Sequence, residues 1–249
     1  MAPPPLKGRI VPVAALSAAQ RDAMWTLFGT YYAAVRRETF EGDLSRKHHV
    51  ILLEDAATRA LAGFSTLVVF NHTLQGQNFR AVFSGDTVVD RAYWGQKTLQ
   101  VHFTRYVLQQ KLRHPLVPLY WFLITKGWRT YLLLSRYFPE YWPRHDVPTV
   151  AFPRAVLQHL GHTMYGTHWD GEAGVIRAPP DGGHLKEDVA PLTPELLQAA
   201  DIAFFARVNP GHVHGDELAC LGRVDLAFAG AFVRKLVTGV GPNDARNKG

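Results

Sequence analysis

Apolar residues recur along this chain at two different periods, and the switches between them outline its elements. Residues 1–16 read as an irregular lead-in with a short strand at 10–13. Met24, Leu27, Phe28, Tyr31 and Val35 then fall three or four positions apart behind Ser17, a favourable N-cap, and predict an amphipathic helix over 18–36. A polar connection over 40–47 leads to a β-rich run at 49–54, a turn at 55–58 and a second run at 61–70, which together predict an antiparallel hairpin. A polar, glycine-containing turn over 71–78 precedes a third strand at 79–89. Helical spacing returns over 95–113, with Leu99, Phe103, Tyr106 and Val107 on the core stripe. Residues 116–125 are almost continuously apolar, as suits a central strand buried on both faces, and a helix over 127–137 ends before Pro139.

After Trp142 and Pro143 the pattern changes. Residues 153–164 read as helix, and 165–189, rich in glycine and proline, as a short hairpin or surface loop. Thr193 and Pro194 start a helix to 208, broken by Asn209, Pro210 and Gly211. Asp216 is expected to cap a last helix running to 237, with a loose tail over 239–249. The order of helix, three strands, helix, strand, helix predicts an α/β domain over 10–165, with a largely helical extension over 166–249 packed on it.

The junction between the third strand and the next helix carries the most chemistry. In 81–99 a strand runs into Tyr93, Trp94, Gly95 and Gln96, and a helix begins there. A helix start offers free N–H groups and a partial positive charge, and can hold a phosphate. The net charge of +6 adds to this picture, because it suits an acidic partner: a phosphate-bearing cofactor, an acidic carrier protein or anionic lipid. Nucleic acid is not expected, since the basic residues are scattered and no recognition motif is present. The single cysteine, Cys220, excludes an internal disulfide and fits a reducing cytoplasm. The first residues make a poor signal peptide, and no uninterrupted apolar run reaches membrane-spanning length, so a cytoplasmic location is expected.

The element order and the run from Thr87 to Leu99 resemble the Gcn5-related N-acetyltransferase (GNAT) superfamily. The resemblance covers about 17–142 and implies a mixed, mostly antiparallel sheet flanked by helices. It also implies transfer of an acyl group from an acyl-CoA or acyl-phosphopantetheine thioester to an amine, without a metal. The superfamily's loop carries an Arg or Gln followed by two or more glycines; here only Gly95 remains, with Lys97 and Leu99 at positions of small residues. The stretch from Arg37 to Leu44 is similar to the start of long-chain relatives, the autoinducer and N-acyl amino acid synthases. Those take acyl groups from acyl carrier protein, an acidic partner that would suit a basic enzyme.

The resemblance implies roles for particular residues. Asp86 is the candidate base, with Glu41 and Asp43 in reserve, against an ordinary reading as a solvated turn aspartate. Tyr137, with Tyr131 as its competitor, would protonate the leaving thiolate, against a reading as core packing. Trp94, Gly95, Gln96, Lys97 and Thr98 would hold the donor phosphates, and the backbone of Val88 and Val89 would pair with the pantetheine arm. The aromatics from Tyr120 to Trp142 could line an acyl pocket or simply fill the core. The acceptor would be an amine-bearing small molecule or peptide. His159, His162, His168 and Asp170 do not have convincing zinc spacing. Two alternatives stay open: a binding module that lost its chemistry, and an unrelated acyltransferase or hydrolase using His212 and Asp216.

Overall fold

The computed structural model describes residues 4–179 and 183–244. The strands are β1 (Leu6–Pro12), β2 (Tyr32–Ala33), β3 (His49–Asp55), β4 (Leu61–Leu74), β5 (Gln77–Val89), β6 (Leu119–Thr125), β7 (Tyr141–Trp142), β8 (Trp169–Asp170), β9 (Val175–Ile176), β10 (His184–Leu185) and β11 (Glu217–Val224). The helices are α1 (Ala18–Tyr31), α2 (Arg37–Ser45), α3 (Thr98–Arg113), α4 (Trp128–Tyr137), α5 (Ala151–Tyr165), α6 (Ala200–Val208) and α7 (Leu226–Thr238). One sheet runs in the order β1-β3-β4-β5-β6-β11-β9-β8, with β7 also on β11; β2 and β10 form a separate ribbon. Every pairing in the large sheet is antiparallel except that of β5 with β6.

Strand alternation sends side chains to two helix layers. On one face Ile51, Val82, Trp121 and Cys220 meet Tyr106, Tyr131, Phe205 and Phe228 of α3, α4, α6 and α7. On the other face α1 and α2 pack Phe28, Phe40 and Leu44 against Leu52, Phe64 and Val88. Beside them α5 packs Val156 and Leu160 against Phe83, Phe122 and Leu221. No helix among the described residues is long and apolar enough to cross a membrane.

Local chemistry explains the boundaries. Ser17 and Gln20 form a reciprocal capping box at α1. The β3–β4 turn is held by Asp55 Oδ1, which accepts from the Ala57 and Thr58 N–H groups at 2.8 Å each. Gln75 and Gly76 both take positive φ, the geometry of a two-residue hairpin turn, so β4 and β5 extend well into the expected polar turn.

Three expectations are corrected. The helix expected to 36 stops at Tyr31, because Tyr32 and Ala33 pair with β10. The expected connection at 40–47 is largely α2, whose Phe40 and Leu44, one turn apart, are both buried. The C-terminal part contains α6 and α7 as helices, but Asp216 caps nothing. Residues 217–224 instead form β11, paired to β6 from Leu218–Thr125 to Val224–Leu119, and Asp225 caps α7 by accepting from Phe228 N at 3.0 Å. A continuous apolar run fits either a buried helix or a buried strand, and here it pairs with β6 as a strand. The structure of 245–249, in the expected tail, lies outside the described residues.

Candidate functional site

The parallel pairing of β5 with β6 runs from Arg80–Leu119 to Ser84–Leu123 and stops. β5 continues to Val89 on the β4 side only, and its register shifts so that Gly85 and Asp86 bulge opposite Thr66. The two strands therefore part, and a cavity of about 930 Å³ occupies the gap. Gln96, Leu99, Gln100 and Arg129 line it from the α3/α4 face; Tyr32, Asp43, Lys47, Tyr165 and Glu217 line it from the other. A parallel strand pair is not tied together by a hairpin, so its ends are free to diverge.

Asp86 sits at the parting. Its carboxylate makes no hydrogen bond or ion pair among the described residues, and it is half-buried in the cavity lining. Burial pushes its pKa up to about 6; the Asp43 carboxylate adds to this, and Lys47 opposes it. Lys47 is lowered chiefly by burial, against the pull of Asp43 and Asp86. Its ammonium donates to the Asp43 backbone oxygen at 3.3 Å and lies 5.3 Å over the Phe83 ring, with no carboxylate partner among the described residues. Lys126 is opposite in kind: burial lowers its pKa most, but the Glu217 carboxylate 2.9 Å away, together with Asp86 and Asp43, raises it. Burial and nearby carboxylates push the Tyr32 and Tyr165 hydroxyls up, so both stay protonated and can donate.

On the α3/α4 face, Asp90 caps a short turn at Arg91–Tyr93, and Gly95 takes a φ of 94°, which favours glycine. Trp94 donates its indole N–H to Val89 O at 2.8 Å and lies between the guanidinium groups of Arg91 and Arg129, 5.3 and 5.0 Å from its ring. α3 then starts at Thr98 with no side-chain cap. Gln96 is turned away, its amide oxygen accepting from Leu6 N at 2.9 Å and its amide nitrogen donating to Pro4 O at 3.1 Å.

The structure thus gathers Asp86, Val88, Val89, Trp94, Gly95, Gln96 and the reserve Asp43 around one cavity. It does not bring Lys97, which is exposed, or Thr98 into the lining. Glu41 pairs with Arg21 at 3.1 Å instead. Tyr137 is buried, its ring 5.4 Å from Phe232, and lines an adjoining apolar chamber of about 80 Å³ that shares Ser84, Thr87 and Leu99 with the cavity. Tyr131 is fully buried and donates to Pro143 O at 3.0 Å. The aromatics from Tyr120 to Trp142 line none of the large cavity; they are core, with Trp121, Tyr137 and Phe138 walling the small chamber.

The structure records no hydrogen bond or ion pair between His212 and Asp216. Asp216 accepts from Arg177 at 2.7 Å and from Ala178 N at 2.9 Å, while the His212 ring packs 5.4 Å from Phe205. His159 meets His72, Nε2 to Nδ1 at 3.0 Å. Among the described residues no three metal-ligating side chains cluster.

Sequence reasoning missed Lys47, Lys126, Glu217, Tyr32 and Tyr165. Lys126 alone had a signal, a charge directly after the central apolar strand. The others converge from β2, the connection after α2, α5 and β11.

No family model matches the chain, and no curated protein matches it. Among solved structures it is similar to an Enterococcus faecalis protein of unknown function described as "Probable N-Acyltransferase", at 15% identity over 56% of this chain and 37% of that one, with a TM-score of 0.39. It is similar to Saccharomyces cerevisiae N-myristoyltransferase with bound myristoyl-CoA at 13% identity over 49% and 29%, TM-score 0.37. It is also similar to Escherichia coli ElaA at 15% identity over 59% and 94%, TM-score 0.36. The chain spans about a third of the length of the first two, 37% and 29%.

Proposed function

We propose that this protein is an N-acyltransferase that moves an acyl group from a phosphopantetheine thioester, of CoA or of an acyl carrier protein, to an amine. The observation that carries the reading is the cavity at the parting of β5 and β6, lined from both faces of the sheet, with Asp86 where they meet. A donor can enter from one face and an acceptor from the other, so the reactants meet without sharing an entrance.

On the donor side, the backbone of Val88 and Val89 beyond the last β5–β6 pair lies beside the thioester arm. Trp94, Gly95 and Arg129 of the lining lie towards its phosphates; Lys97 and Thr98 stand outside the lining and the Gln96 amide is held by Leu6 and Pro4, so these three join them only by a local shift of the loop and the uncapped start of α3. On the acceptor side, Asp86 receives the proton. The amine nitrogen forms a bond to the thioester carbonyl carbon, the carbon–sulfur bond breaks, and the nitrogen proton passes to the Asp86 carboxylate. The departing thiolate takes a proton from Tyr137 of the adjoining chamber, and Tyr137 recovers one from Asp86 through solvent. Amide and thiol leave, and the protein is unchanged. Residues 10–165 supply most of this machinery, and 166–249 complete it through Glu217. A cytoplasmic location is part of this reading.

One observation favours the binding-only reading: the Gln96 amide is committed to Pro4 and Leu6, and no second glycine stands beside Gly95. Native mass spectrometry with a panel of acyl-CoAs and acyl-carrier thioesters, followed by thiol release with amines, separates the two. Bound thioester with turnover supports the enzyme, bound thioester with no turnover supports the module, and no binding sinks both.

A further inference from the structure

Three of the four helices on one sheet face have an unusual charge pattern; the fourth, α6, carries the buried Asp201. α3, α4 and α7 carry Arg105, Lys111, Arg113, Arg129, Arg136, Arg234 and Lys235 and no carboxylate of their own, though Asp225 caps α7 and Asp244 pairs with Lys235 at 2.9 Å. They form one layer: Phe103 of α3, Tyr137 of α4 and Phe228 and Phe232 of α7 wall the same small chamber. The end of α3 adjoins the start of α7, since Lys111 feels the charge of Asp225.

The outer side of this layer is apolar as well as basic. On α7, Phe228, Ala231 and Phe232 turn inward, while Leu226, Val233 and Val237 are 88, 59 and 79% exposed. Their spacing of seven and four places them on one stripe. Leu112 and Leu116, 75 and 95% exposed, stand at the adjoining end of α3. Large aliphatic side chains left in water at this density mark a contact surface. Arg105 and Arg113, both exposed, have no carboxylate partner among the described residues.

We propose that this layer docks on an anionic lipid surface, with Leu116, Leu226, Val233 and Val237 entering the headgroup region and the exposed Arg105 and Arg113 meeting lipid phosphates. The absence of any carboxylate from three helices is the electrostatic complement of such a surface, and protruding aliphatic chains are what it absorbs. An acidic protein partner would meet the charges but leave protruding leucines with little to bury them. The donor side of the cavity opens on this same face, through Gln96, Leu99 and Arg129.

The test is co-sedimentation of the full chain with sucrose-loaded vesicles of phosphatidylcholine alone, or with about 30% phosphatidylglycerol, at low and at high salt. Each basic residue near such a surface is worth about 1 kcal/mol, so binding to the anionic vesicles should exceed that to neutral ones by about tenfold or more and fall with salt. The double substitution Leu226→Glu with Val237→Glu should cut anionic-vesicle binding by about tenfold. Both positions are exposed, and an unchanged thermal midpoint shows that the fold is kept. Equal or absent binding to the two vesicles overturns the proposal, as does anionic binding that survives the double substitution. It is also overturned if vesicles are ignored and the substitutions break a dimer, or abolish saturable binding to an acidic carrier protein. None of these outcomes depends on acyl transfer.

Discussion

Lys126 Nζ stands 2.9 Å from Glu217 Oε1, and the pair ties the end of β6 to the start of β11 beside Asp86. Each neutralises the other, and the Lys126 charge holds the Asp86 pKa down while that of Glu217 pushes it up. Lys126→Met removes the opposing charge and leaves Glu217 uncompensated. The acid limb of the rate profile should then move upward by about half a unit to one unit. Measuring kcat/KM against pH in both forms checks this; an unmoved limb would mean that the pair does not act on Asp86.

Asp86 must be ionised to accept a proton. With its pKa at about 6, activity should fall as pH drops through about 6 and level off above it, apart from any limb of the acceptor amine. Asp86→Asn should lower kcat by about 10²–10⁴-fold with thioester binding retained.

The same substitution should stabilise the fold. The folded pKa of Asp86 lies above its ordinary value of 3.8, so ionisation disfavours folding. That penalty is absent below pH about 4, grows to about 6 and is full beyond, reaching about 2–3 kcal/mol at pH 7. Asp86→Asn should thus melt higher than the parent at pH 7 and no higher at pH 4. A lower midpoint at pH 7 would contradict the buried-charge account.

Trp94→Ala removes the indole hydrogen bond to Val89 O and the surface on which Arg91 and Arg129 lie. Its dissociation constant for an acyl-CoA, read by calorimetry, should rise about 5–30-fold. No change would move the donor away from this loop.

His212→Ala should leave acyl transfer within about twofold, since His212 lies outside the cavity lining. Asp216→Ala should instead cost about 1–3 kcal/mol of stability, through loss of the Arg177 and Ala178 contacts. Loss of activity with an intact fold in either variant would revive a His212-based site.

The sequence exposed the scaffold of the cavity and only part of its lining. The hairpin of β3 and β4, the long β5, the α3 stripe and the buried β6 were all legible, because each has a period or an apolar run of its own. Asp86 and the Trp94–Gly95–Gln96 loop were legible because they lie between two such elements. Tyr137 was placed on the correct helix, but a helix pattern cannot say which side chamber a buried ring enters. β11 was misread because its hydrophobic run does not distinguish a buried strand from a buried helix.

By itself, then, the sequence determined the α/β order of elements, the acid-free helices and the strand-to-helix junction, all of which local periodicity and composition encode. The tertiary structure alone decided that β5 and β6 part after Ser84 and Leu123, and that Lys47, Lys126, Tyr165 and Glu217 converge on the gap. Those residues come from the connection after α2, the position directly after β6, α5 and β11. Only the packing of these distant segments around one parallel strand pair sets which charges meet, how far each is desolvated and which are left without a partner.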